Sequence, residues 1–76
     1  MSFTPPPQCP ETPGDRVRRQ REHLGLTVRQ VAELAGVNKE TVVDVENDRK
    51  QPQARTWAKL AQALQAPEPW LRDGTF

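Results

Sequence analysis

Seventy-six residues at a formal net charge of +1, only 34% of them hydrophobic, allow one domain with a small core. No apolar run approaches the roughly 20 residues that cross a bilayer, which sets a membrane protein aside. One histidine and one cysteine set aside a metal cluster or a nucleophile–base pair, so no enzyme, no metal and no cofactor are expected.

Residues 1–11 hold four of the eight prolines, Pro5, Pro6, Pro7 and Pro10, and little that packs. They are expected to form a disordered, polyproline-like tail, leaving 12–76 as the folded unit. The opening MSFTPPPQCP has no basic stretch followed by an apolar one, so it does not read as a secretory leader. Cys9 cannot close an internal disulfide, and a reducing cytoplasm is the expected compartment.

Thr12-Pro13-Gly14-Asp15 reads as a helix start: Thr12 caps, Pro13 suits the first turn, and Asp15 takes the capping-box position. This first helix runs to about His23, with Val17, Gln20, Arg21 and Leu24 inward, and Gly25 ends it. Thr27 then caps a second helix. The stretch VRQVAELAGVNKETVVDVEN, residues 28–47, reads as two short helices about a tight turn at Gly36, whose lack of a Cβ suits a left-handed backbone. Ala32 is small where the two helices would cross. Asn38 suits the cap of the third helix, and Val42 and Val45, three apart, point inward. Lys39, Glu40, Val43, Asp44 and Asn47 are left on the outer face, where a helix-turn-helix presents side chains to the major groove. A helical hairpin packed in a core would share part of this pattern. A fourth helix spans about Ala54 to Gln65 with the stripe Ala54, Trp57, Ala58, Leu60, Ala61 and Leu64. Pro67 stops it, Pro69 opens a last helix with Trp70 and Leu71, and Gly74 closes it. An all-α fold of five short helices follows. Its expected core is Val17, Leu24, Val31, Ala32, Val42, Val45, Trp57, Leu60, Leu64 and Leu71, with Trp70 either in the core or at an interface.

The pieces GDRVRRQR, GLT, VAELAGVNKETV, VEN, KLAQAL and W-L-x-x-G between Gly14 and Gly74 together resemble the Cro/C1-type (XRE-family) helix-turn-helix domain of lambdoid phage repressors. The resemblance implies a five-helix, lambda-repressor-like domain. It would bind double-stranded DNA as a homodimer on a palindromic operator, with the third helix in the major groove. It implies base contacts or nearby phosphate contacts from Asn38, Lys39, Glu40, Thr41, Val43 and Asp44. Asn47 and the loop through Arg49 and Lys50 match phosphate-contacting positions, and Arg21 and Glu46 match an ion pair between the first and third helices. Four positions depart from the pattern: Val28 and Asp48 stand where the family usually has Gln and often Gly, Gln65 where it usually has Gly, and Asp44 where it often has a polar or basic reader. Without that Gln, Arg29 is the expected substitute at phosphate, and Arg55 a further contributor.

The leading expectation is a small repressor of the phage, plasmid or mobile-element kind, acting by occupancy or by touching RNA polymerase. Two other readings are an antitoxin paired with a toxin partner and a helix-turn-helix repurposed for binding protein. Glu40, Asp44 and Glu46 make the third helix acidic, which favours the last of these. If DNA is the partner, general affinity should come from Arg29, Arg49, Lys50 and Arg55, while the third helix selects sequence.

Overall fold

The first two helices begin where a threonine side chain supplies a partner for the free backbone N–H groups of a helix terminus. The computed structural model describes residues 12–74, so the expected tail lies outside the described residues. Five helices follow in order: α1 Pro13–His23, α2 Val28–Ala35, α3 Lys39–Glu46, α4 Ala54–Leu64 and α5 Glu68–Asp73. At α2 the cap is complete: Gln30 N–H donates to Thr27 Oγ1 at 3.1 Å, and Thr27 N–H donates to Gln30 Oε1 at 2.8 Å. The box expected at α1 is only half formed. Asp15 N–H donates to Thr12 Oγ1 at 3.3 Å, but the Asp15 carboxylate lies 3.6 Å from Arg18 instead. Asn38 caps α3 by its extended backbone alone, with no side-chain bond.

Gly36 ends α2 at φ 71°, the left-handed turn that the sequence requires. Two positions where the family prefers Gly are also left-handed, Asp48 at φ 57° and Gln65 at φ 54°. An L side chain there costs about 1–2 kcal/mol, which the contacts around it must offset. Asp48 has such contacts.

The core forms where α1 packs on α3, α4 and α5, and α2 packs on α3 and α4. Val17, Val31, Val42, Leu60, Leu64 and Leu71 are fully buried, each contributing about 1.5–3 kcal/mol of transfer free energy. Trp70 is 2% exposed, so the core reading of this residue holds within one copy of the chain. Leu24 is only half-buried, because it is the residue on which α1 ends. Ala54 and Ala58 are exposed, so the buried stripe of α4 loses two expected members, while Ala61 is buried as expected and Ala63 joins it. Val28 is half-buried against the core, which accounts for an apolar residue where the family usually has Gln.

Polar side chains complete the packing. The Arg16 side chain is buried and donates to the carbonyls of Leu71 at 3.1 Å and Arg72 at 3.0 Å, holding the end of α5. Gln20 donates to Leu64 O at 2.9 Å, at the end of α4. Both satisfy carbonyls that a helix C-terminus leaves without an internal partner.

Candidate nucleic-acid interface

An eight-residue helix can present side chains to a partner only if it is held still, and α3 is held from behind by α1. Gly14 permits the approach. A Cβ on it would lie within 2.3 Å of Val45 O and 2.7 Å of Glu46 O, both backbone atoms that cannot swing aside. Just past the end of α3, the Asp48 carboxylate accepts from Gly14 N–H at 3.1 Å and from the Thr12 hydroxyl at 2.5 Å. A carboxylate at a helix N-terminus also meets the positive end of the helix dipole. Asp48 therefore caps α1 from the far end of α3, which offsets the cost of its left-handed backbone.

Arg21 and Glu46 form a two-pronged pair between α1 and α3. Arg21 Nε lies 2.7 Å and a terminal nitrogen 3.2 Å from the two Glu46 oxygens, and the third guanidinium nitrogen donates to Leu26 O at 3.0 Å. Glu46 is 5% exposed. The hydrogen bond to Glu46 raises the Arg21 pKa, against the opposing effect of burial. A cation whose folded pKa is raised stabilises the fold fully below its unfolded value, and that contribution is lost only in strong base. Arg18 adds a second strand of contact, donating to Glu46 O at 3.1 Å and lying 3.6 Å from its carboxylate. Its role escaped sequence reasoning, although Arg18 and Arg21 are three apart and therefore share a helix face.

The outer face of α3 is differently built. Asn38, Lys39 and Glu40 are exposed, and Thr41, Val43 and Asp44 are half-buried. Asn38, Lys39, Glu40, Val43, Asp44 and Arg49 line one shallow hollow. Arg29 on α2 and Arg55 on α4 do not line it. Arg29 lies 3.5 Å from Glu33 one turn on, and Arg55 donates to Gln53 at 3.2 Å. The Asn47 amide is turned back onto Val43 O at 3.0 Å.

The acidity of α3 is less than its sequence suggests. Glu46 faces α1 and is neutralised there by Arg21 and Arg18. Asp44 lies 3.4 Å from Lys50 Nζ and 3.9 Å from Arg49. Among the described residues, Glu40 is the carboxylate of this helix that has no ion pair. The chemistry on offer is a cation (Lys39), two acceptors (Glu40, Asp44), an amide (Asn38) and a branched apolar group (Val43) on one exposed face. Among the described residues no group of His, Cys, Asp or Glu comes together as a metal would need, and no helix is long and apolar enough to cross a membrane.

Comparison with known proteins agrees with this architecture. No curated protein matches in sequence. The P22 c2 repressor protein, solved in complex with a synthetic operator, superposes with a TM-score of 0.82 at 23% identity, over 87% of this chain and 100% of that one. The restriction-modification controller protein C.AhdI from Aeromonas hydrophila superposes with a TM-score of 0.75 at 30% identity, over 78% of this chain and 89% of that one. A family model described as a helix-turn-helix domain matches residues 14–73. The chain belongs to the helix-turn-helix domain family, of the Cro/C1 type.

Proposed function

We propose that the protein is a sequence-specific, double-stranded DNA-binding transcriptional regulator that reads the major groove with the outer face of α3. The observation that carries this reading is the contrast across α3. One side is fixed to α1 by Gly14, Arg21, Glu46 and Asp48, while the other leaves Lys39, Glu40 and Asn38 exposed with no packing role. Lys39 matches the acceptor edge of guanine, Glu40 and Asp44 the amino group of cytosine, and Val43 the methyl of thymine. Lys50, Arg49 and Arg29 supply charge for phosphates beside the groove, with Arg55 further along. The similarity to a repressor and a controller protein supports the same reading.

An eight-residue helix is about 12 Å long and spans only three or four base pairs, too few to specify a site. Two copies on a two-fold operator double the reading, which is the reason for expecting a homodimer on DNA. Occupancy of such an operator is by itself enough to account for repression. A helix-turn-helix turned to protein binding is less well supported than the sequence suggested, because two of the three acids that favoured it are neutralised by arginine or lysine.

Selection of bound sequences from random duplexes with the purified chain tests the proposal. A two-fold symmetric consensus, bound with strong salt dependence, is expected. A set of bound duplexes with no common sequence, together with salt-independent binding, would overturn it.

A further inference from the structure

We infer that Asp44 is an internal stand-in for a DNA phosphate, which couples the reading of a base to the engagement of the backbone. The inference rests on the DNA-binding reading above and concerns how that same surface is regulated.

Arg49 and Lys50 follow closely on the end of α3, and both are ion-paired to its Asp44. Lys50 Nζ sits 3.4 Å and Arg49 3.9 Å from the two Asp44 oxygens. Asp44 is well placed to hold them. Its side chain is only 22% exposed, whereas those of Arg49 and Lys50 are 69% and 65% exposed. The loop is also fixed at this point, because Arg49 N–H donates to Asp44 O at 2.8 Å. The carboxylate is therefore anchored on a helix and the cations swing from it. A phosphate that recruits Lys50 or Arg49 competes with Asp44 for them.

That exchange strips a half-buried carboxylate of both partners and leaves it beside the phosphates, where it is repelled. At a cytosine whose amino group meets Asp44, the carboxylate gains a donor in return. At other bases it gains none. Correct sites thus release two cations for phosphate contact, and incorrect sites do not. Selectivity on this model arises from an intramolecular competitor as well as from direct contact.

Asp44→Asn keeps the shape of the side chain and removes its charge. Affinity for a random-sequence duplex should then rise about three- to tenfold, and its salt dependence should steepen by about one to two ions, because Lys50 and Arg49 are both freed. The melting temperature should stay within a few degrees of wild type. Glu40→Gln is the control for simple repulsion, since it removes the same charge from the same face without freeing a cation; any gain it gives on a random-sequence duplex should be smaller than that of Asp44→Asn and should leave the salt slope alone. With Arg49 and Lys50 both replaced by Ala, Asp44→Asn should lose its gain. Equal gains from Asp44→Asn and Glu40→Gln, or a gain that persists without the two cations, would overturn the inference while leaving DNA binding intact. Failure of wild type and Asp44→Asn alike to bind any duplex in a salt-dependent way would instead remove the underlying reading, and the inference with it.

Discussion

The two sides of α3 use the same residue types for opposite purposes. Toward α1, the Glu46 carboxylate is buried, two-pronged to Arg21, and backed by Arg18. Toward solvent, the Asp44 carboxylate meets Lys50 and Arg49 at longer distances, and both cations are mostly exposed. A buried pair costs several kcal/mol in desolvation, so removing one partner leaves an expensive uncompensated charge. An exposed pair is screened by water and salt and is worth under about 1 kcal/mol. The first arrangement suits a joint that must not move; the second suits partners that must be exchanged.

This difference is open to attack at several points. Glu46→Ala leaves Arg21 without its partner at the α1–α3 joint, and a loss of about 3–5 kcal/mol is expected in urea denaturation. A loss under 1 kcal/mol would place this pair in the same class as the outer one. Ala32→Leu should cost about 1–3 kcal/mol, since Ala32 is 4% exposed within the core and a larger side chain must displace its neighbours. Gly14→Ala should fall in the same range or above it, because the clash is with backbone oxygens. Normal melting of either variant would show that the helices are not packed as closely as described.

Asp48→Gly sharpens the comparison by opposing two effects. Glycine relieves the left-handed backbone by about 1–2 kcal/mol, while loss of the carboxylate removes two charge-assisted bonds to Thr12 and Gly14, each worth about 1.5–3 kcal/mol. A net loss of about 1 kcal/mol or more in thermal denaturation is expected. A gain in stability would mean that the cap contributes little. The smallest effect on folding is expected from Lys39→Ala, within about 0.5 kcal/mol of wild type, since Lys39 is exposed and packs against nothing. Its consequence should appear only in binding, as a loss of preference at one base pair.

What could be read from the sequence follows the range of the interaction. Helix ends were legible because their causes are local: Thr12, Thr27 and Gly36 act on neighbours within a few residues. The inward valines of α3 were legible from spacing. The Arg21–Glu46 contact, by contrast, came from the family resemblance, as no local rule joins residues on two separate helices. Gly14 meeting Asp48 across 34 residues, and Arg16 reaching the end of α5 across 55, had no local signal at all. They depend on where two helices come to rest, which packing decides. The half-formed cap at Asp15 failed for a related reason, because Arg18 one turn away offers a competing charge. On the outer face, the residue types were legible but their pairing was not. Asp44 reaches Lys50 only because the chain turns sharply at Asp48.

The salt dependence of binding to the selected duplex, compared between wild type and Lys50→Ala and read beside their melting curves, tests most directly the division of α3 into a fixed side and an exchangeable one. The slope of log affinity against log salt should fall by about one for Lys50→Ala, with the melting temperature unchanged. An unchanged slope, or a fall in melting temperature as large as that of Glu46→Ala, would contradict that division.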